Sequence, residues 1–409
     1  MKVLVINCGS SSLKYQLFET EQEACLAKGL VERIGTPGTL LTHQVPERDR
    51  HRVACDAPDH TAAMAAVLKV LADPELGVVK NVGEIAAIGH RIVHGGERFA
   101  HSVLIDEGVI QHIAACSELA PLHNPPHIMG IRACQRILPS VPMVAVFDTA
   151  FHQKMPPVAY MYALPYEYYE KYAIRRYGFH GTSHKYVAAR AADLMQRPLA
   201  DLRLITCHLG NGSSVTAIKN GHSVDTSMGF TPLEGLVMGT RSGDIDPYVI
   251  PFLMAKEDLT AEQVSQVILN KKSGVLGLSG FSQDFRDLET ASKEKTVTGQ
   301  RAELALEVFA YRLRKYIGAY FTVLGGLDAL VFTAGIGENQ FEMRERVCRG
   351  LECLGIRLDA ERNKVRGVEA EIGADGSPVR IFAVPTNEEL VIARDTAAIV
   401  GAAGTADRG

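Results

Sequence analysis

The sequence has no apolar run long enough to cross a membrane as a helix, which takes about 20 residues. Nor does it open like a secretory leader. MKVLVINCGS offers only Val3 to Ile6 between Lys2 and Asn7, short of the apolar stretch and small-residue cleavage site that a leader needs. Its eight cysteines are scattered, with no CxxC pair, and Cys348 and Cys353 are the nearest two. That spacing supports neither a disulfide frame nor a zinc site, so the thiols read as buried. Basic residues (43) are interspersed with acidic ones (47) for a net charge of −4, without a basic stripe or a lysine-rich tail. Nucleic acid and membrane surfaces are thereby poor partners. The expectation is a cytoplasmic protein that binds neither.

No low-complexity linker divides the 409 residues, so domain boundaries must come from pattern. Length predicts two or three domains, and 46% hydrophobic residues is ordinary globular composition. What the chain does have is a polar turn used twice. VLVINCGSSSLKYQLF sets strand-like runs (Val3 to Ile6, Leu13 to Phe18) around glycine and three serines, and LITCHLGNGSSVTAI repeats the plan about two hundred residues later. After the first turn the pattern predicts a helix over 59–73 capped by Asp59, with Met64, Val67, Leu68 and Leu71 on its apolar face. A strand near Ile85 to Ile88, a helix over 124–138 and a strand from Val141 to Phe147 follow.

The plan restarts after the proline- and tyrosine-rich segment 155–172. There is a helix from Ser183, then the second hairpin at 204–218, then a long helix from Arg301 to Leu324 stopped by Gly325-Gly326. A strand at 329–335 and the strand IFAVP lead into a last helix, with Thr386 and Glu389 at capping-box spacing. Strands in hairpins, then alternating with helices, indicate an α/β fold with mixed sheets. Two polar hairpins could recur by coincidence, since Gly-Ser turns are common; internal duplication is the other reading.

A glycine turn lets backbone N–H groups converge on a ligand. Gly9, Ser10, Ser11, Ser12 and Lys14 form one plausible phosphate cradle, and His208, Gly210, Asn211, Gly212 and Ser213 a second. Two facing cradles would suit a nucleoside polyphosphate. There is no GxxxxGK[ST] loop, and AGIGENQ starts like GxGxxG but ends in glutamine. GHRIVHGGERF carries Arg91, FDTAFH places Asp148 at the carboxyl end of a strand, RRYGFHGTSH carries His180 before a helix, and MGTRSGDIDP carries Arg241 between glycines. Taken singly each has an ordinary reading: surface arginines, a capping aspartate, a structural histidine, and in Glu388 an acid favoured by a helix dipole. His180/His184 and His90/His94 are four apart but lack the glutamate of HExxH, so zinc is a poor fit.

The turns NCGSSSLK and HLGNGSS, with HRIVHGG, PLHNPP, FDTAFH, RRYGFHGTSH, TSMGFTPLEGLVMGTRSGDIDP, AGIGEN and PTNEEL, resemble the acetate kinase family along essentially the whole chain. The resemblance implies a fold of duplicated ribonuclease H-like (actin-like ATPase) domains, with mixed sheets, helices on both faces, a nucleotide cleft between them and usually a homodimer. The domains would be 1–150 completed by a C-terminal helix 386–409, and 151–385 carrying most nucleotide contacts. It implies Mg²⁺-dependent (or Mn²⁺-dependent), reversible, direct in-line transfer of the ATP γ-phosphoryl group to acetate, giving acetyl phosphate and ADP. Propionate kinase is the near alternative, and a nucleotide-switch protein of the same superfamily a more distant one.

Carried over by motif, Arg91 holds the substrate carboxylate, His180 and Arg241 stabilise the transferring phosphoryl group, and Asp148 is the acid/base candidate. Asn7 and Glu388 are the metal positions. Lys14, His208, Leu209, Gly210, Asn211, Gly212, Asp284, Phe285, Arg286, Gly335, Ile336, Gly337, Glu338 and Asn339 contact the nucleotide. Ser10, Ser12 and His123 support the site, and Val93, Leu122, Phe179 and Pro232 surround the methyl group. A carboxylate nucleophile is already ionised at neutral pH, which suggests that Asp148 orients its neighbours more than it accepts a proton.

Overall fold

A computed structural model describes residues 1–406, with side chains through residue 403. It divides into two compact units, 1–150 with the described residues from 387 onward, and 151–386. The first holds an eight-stranded sheet: β1 (Lys2–Cys8), β2 (Ser12–Glu19), β3 (Ala24–Glu32), β4 (Leu40–Gln44), β5 (His51–Ala54), β6 (Ala87–Ile92), β7 (Val103–Leu104) and β8 (Met143–Phe147), in the order β5-β4-β3-β2-β1-β6-β8-β7. The second holds six: β9 (Arg203–Leu209), β10 (Ser213–Lys219), β11 (His222–Thr226), β12 (Ala329–Thr333), β13 (Ala370–Glu371) and β14 (Arg380–Ala383), in the order β11-β10-β9-β12-β14-β13.

Six strands of the first sheet superpose in topology on the second. In each, a strand pairs antiparallel with its hairpin partner and parallel with the strand on its other side. A second parallel pair follows, and a short antiparallel strand closes the edge. Coincidence does not reproduce pairing sense at every position, so the fold is a duplicated α/β plan. The first unit differs by the added β4 and β5.

Strand alternation decides which residues meet which helix. Leu4, Ile6 and Cys8 of β1 pack with Met64 and Val67 of helix His60–Leu71 and with Cys134 of helix Asn124–Ile137. The opposite face takes the last helix, Glu388–Ala406: a Cβ on Gly89 would collide with Thr396 and Ile392. Val5 pairs in register with Gly89, so Val5 and Asn7 share that face. In the second unit Ile205, Cys207 and Leu209 face the long helix Val297–Leu324. Leu204 packs with Val187 and Ala191 of helix Gly181–Met195, which puts Thr206 and His208 on the same face.

Asp59 does cap the helix His60–Leu71, accepting from the Ala62 N–H. The start of the last helix is different from the sequence reading. Asn387, not Thr386, accepts from the Leu390 N–H at 3.1 Å. The Thr386 hydroxyl meets Ser183 at 2.8 Å and its N–H donates to Glu338 at 2.9 Å, so it is occupied within the second unit. The strand expected over 329–335 ends at Thr333, because Ala334 turns into the left-handed region (φ 62°) and opens helix Ala334–Asn339. Positions 407–409 of the last helix as expected lie outside the described residues.

Candidate active site

In the first unit the polar face of the sheet collects the expected residues. Asn7 and Lys14 stand opposite each other across the β1–β2 hairpin. Its turn is closed by the Gly9 N–H donating to the Ser12 carbonyl at 2.8 Å. Only a small residue fits there, since a Cβ on Gly9 would sit 2.8 Å from Ser12 Oγ. Arg91 is near the end of β6, and Asp148 follows β8, with its N–H on the Ile92 carbonyl at 2.9 Å. The parallel β6–β8 register therefore brings residues 57 apart in sequence side by side.

Their side chains make a forked ion pair. Arg91 Nε donates to Asp148 Oδ1 at 3.1 Å and Nη2 to Oδ2 at 2.8 Å, with Asp148 only 2% exposed. Burial pushes the Asp148 carboxyl above its ordinary range, the Arg91 guanidinium pulls it back, and Glu388 adds to the rise. Asp148 in turn holds Arg91 firmly protonated. A guanidinium has five N–H donors in a rigid fork, so this pairing through Nε and Nη2 fixes its plane without using Nη1. Glu388 opens the last helix with Oε1 buried and without a hydrogen-bond partner among the described residues. His123 stands just before helix Asn124–Ile137, Leu122 beside it is 64% exposed, and Val93 is half-buried.

In the second unit the β9–β10 turn is closed by the Gly210 N–H on the Gly212 carbonyl at 3.1 Å and by Ser213 Oγ on the Gly210 carbonyl at 3.0 Å. The Asn211 carbonyl accepts from the Gly239 N–H at 3.1 Å, tying this turn to the loop that carries Arg241. A Cβ on Gly212 would lie 3.4 Å from Arg241 Nη1 and 3.5 Å from His180 Cε1 and Nε2. Gly212, His180 and Arg241 thus converge on one spot. Arg241 Nη1 donates to the Pro232 carbonyl at 3.2 Å, burial lowers its pKa, and among the described residues no carboxylate pairs with it.

His180 sits in the left-handed region (φ 57°) just before helix Gly181–Met195 and stacks on His208 at 4.0 Å. A chain of buried hydroxyls and imidazoles stands behind it. Thr206 Oγ1 is 2.7 Å from His184 Nδ1, His184 Nε2 is 2.7 Å from Ser214 Oγ, and Ser214 Oγ is 2.9 Å from His180 Nδ1. Burial holds His184 well below its ordinary pKa, hence neutral. His208 Nδ1 meets Ser183 Oγ at 2.8 Å. The sequence reading missed Ser183, His184, Thr206 and Ser214. The only signal was the alternation that turns Thr206 and Ser214 toward the same helix as His184.

The remaining nucleotide positions divide by side-chain accessibility. Leu209, Phe285 and Ile336 are core residues, so only their backbones are available to a ligand. Asp284 caps helix Phe285–Ala291 and forks onto an exposed Arg286. A Cβ on Gly335 would meet nothing within 4 Å, leaving open space above that backbone. Glu338 accepts from Thr386, and Asn339 Nδ2 donates to the Gly335 carbonyl at 3.0 Å. Phe179 is buried, and its carbonyl is 3.0 Å from His152 Nε2.

Comparison with known proteins follows the same outline. The model of the acetokinase family matches residues 2–394. An acetate kinase of Desulfitobacterium hafniense (strain DSM 10664 / DCB-2) is 60% identical over 400 residues, 98% of this chain and 99% of that protein. The crystal structure of Porphyromonas gingivalis acetate kinase superposes with a TM-score of 0.93 at 50% identity, covering 98% of this chain and 99% of that one. A propionate kinase from Francisella tularensis subsp. tularensis SCHU S4 gives 0.90 at 41% identity over 97% and 99%.

Proposed function

The chain belongs to the acetokinase family, phosphotransferases with a carboxyl group as acceptor, and from that premise we propose how its residues move the γ-phosphoryl group of ATP to acetate. The observation that carries the reading is the contrast between two arginines. Arg91 is locked by a carboxylate, whereas Arg241 lies partly buried beside His180 and the Gly212 backbone with no carboxylate of its own among the described residues. A desolvated guanidinium without a counter-charge is a place for an anion.

Arg91, held in plane by Asp148, presents Nη1 to the acetate carboxylate, which attacks as the anion and needs no base. Arg241 and His180 face the transferring phosphoryl group, whose charge spreads over its equatorial oxygens in a loose transition state. His180 donates from Nε2 if its Nδ1 accepts. We assign the neutral chain the direction that meets this: Thr206 hydroxyl to His184, His184 Nε2–H to Ser214, Ser214 hydroxyl to His180 Nδ1. His208, Leu209, Gly210, Asn211 and Gly212, with the stretches 284–286 and 335–339, hold the nucleotide. Lys14, Ser10, Ser12 and His123 support the phosphate and acid positions.

Mg²⁺, with Mn²⁺ as a substitute, suits Asn7 and Glu388. The orphaned, buried Glu388 Oε1 is an oxygen ligand without another occupation, and Mg²⁺ takes one or two carboxylates plus phosphate oxygens and water, not an all-protein cage. When bound, the ion neutralises developing phosphate charge. Val93, Leu122, Phe179 and Pro232 offer apolar surface to the methyl group. The same reading makes the enzyme a cytoplasmic homodimer.

Acyl phosphate formation with MgATP, trapped by hydroxylamine, tests the reaction. kcat/KM for acetate is expected to exceed that for propionate by about 10- to 200-fold, the reach of one methylene, with butyrate lower and glycerol inactive. Equal or better use of propionate would move the acceptor up by one carbon. ATP hydrolysis without phosphorylation of any of them would end the carboxylate reading. A second measurement addresses the hydroxyl chain. Ser214→Ala removes the hydroxyl that meets both His180 Nδ1 and His184 Nε2, a loss of about 1–3 kcal/mol, and is expected to lower kcat about five- to hundredfold with both KM values unchanged. Ser214→Thr should restore it, and an unaltered kcat in the alanine variant would remove the chain from the mechanism.

A further inference from the structure

The face of the first sheet that carries Asn7 and Lys14 continues outward over β3, β4 and β5, and there it forms a cavity of about 290 Å³. Register places its lining in rows. Asn7, Lys14, Leu30, Thr42 and Arg52 are successive partners across β1 to β5, and Gln16, Lys28 and Gln44 are partners across β2 to β4. Residues directly opposite on paired strands share a face, so Lys14, Lys28 and Arg52 point into one basin, joined by Arg50.

This basin is cationic, and its cations make no salt bridge among the described residues. Against Lys14, Lys28, Arg50 and Arg52 stand Glu32 and Glu389, an excess of positive charge. Among the described residues none of the four basic side chains has a hydrogen bond or an ion pair. Elsewhere in the same unit Lys2, Arg91, Arg132 and Arg394 each pair with a carboxylate. The rest of the lining adds amides from Gln16 and Gln44 and the Thr42 hydroxyl, groups that hydrogen-bond to oxyanions.

We propose that this basin binds a small oxyanion carrying two or more charged groups, at a site distinct from the phosphoryl-transfer residues and adjoining them at Asn7, Lys14 and the start of the last helix. Size sets the class. Strands lie about 4.7–4.9 Å apart, so Lys14 on β2 and Arg52 on β5 start roughly 14 Å apart. A single phosphate reaches one end; an anion with charges at both ends engages Lys14 and Lys28 together with Arg50 and Arg52. Guanidinium forks at one end and ammonium groups at the other accept phosphate or carboxylate groups. An occupant would lie beside Glu389 at the foot of the last helix, next to the Glu388 carboxylate.

Linear tripolyphosphate, titrated by calorimetry into the full chain saturated with MgADP and acetate, tests the site. Inorganic phosphate and a tricarboxylate are titrated in parallel, to tell length from charge type. Tripolyphosphate is expected to bind once per chain, more tightly than inorganic phosphate and more weakly as salt is raised. The triple variant Lys28→Gln/Arg50→Gln/Arg52→Gln should weaken binding about tenfold or more. Arg241→Ala should leave it intact. All three substituted bases are exposed, Lys28 and Arg52 on strands and Arg50 just before β5, so the variant should melt like the parent and keep its hydroxamate-assay rate. No binding, binding unchanged in the triple variant, or binding lost in Arg241→Ala would each overturn the proposal. A silent hydroxamate assay in the parent chain would overturn the proposed function and leave the titration to stand by itself.

Discussion

Arg241→Ala is expected to lower kcat by about three to five powers of ten while leaving the melting temperature unchanged or raising it. The two halves of this expectation have one cause. Arg241 is a partly buried cation that burial alone perturbs, with a carbonyl at 3.2 Å and no carboxylate beside it among the described residues. An uncompensated buried charge destabilises the folded protein, so its removal relieves a cost. The same lack of compensation is what lets it stabilise the charge spreading over a transferring phosphoryl group. Single-turnover phosphoryl transfer and calorimetric melting of the same preparation check both. A variant that melts normally and still turns over near the parent rate would take Arg241 out of the chemistry. One that is inactive and also melts far lower would mean that its role is structural.

Asp148→Asn is expected to act through Arg91. The amide keeps the shape and one accepting oxygen, but removes the charge that faces a guanidinium held by two short contacts. Breaking a buried pair by neutralising one partner costs about 3–5 kcal/mol, part of which Glu388 offsets because it also raises the Arg91 pKa. In catalysis the loss should appear as about 10²- to 10³-fold in kcat/KM for acetate, since Arg91 would no longer be held in plane for the incoming carboxylate. The pH profile separates orientation from proton transfer. If Asp148 only orients, the residual activity of the variant keeps the parent's profile. If it accepts a proton, the acidic limb disappears. Near-normal turnover with normal metal dependence would remove Asp148 from the site altogether.

Local pattern carried the hairpins, the duplicated plan and the positions of the main helices. A polar turn between two alternating strands, and a 3.6-residue apolar period, are properties of neighbours in sequence. Asp59 as a helix cap was legible for the same reason, because the cap and the N–H it accepts are three residues apart. Thr386 looked equally good by spacing. It failed because Ser183 and Glu338, far away in the chain, engage it first and leave Asn387 to cap.

The strands β3 to β5 escaped the sequence reading. β5 is exposed at all four positions, so burial imposed no apolar alternation on it, and the cationic basin went unseen with it. Motif similarity named Arg91, Asp148, His180 and Arg241 without saying which of them pair. What the sequence by itself determined was the period of each element and the chemistry present in each turn. Only the tertiary structure decided that one arginine has a carboxylate and the other, among the described residues, none, and that His180 ends a hydroxyl chain running back to Thr206. Those outcomes depend on parallel register and on which face of a sheet meets which helix, and both are set by the packing of segments distant in the chain.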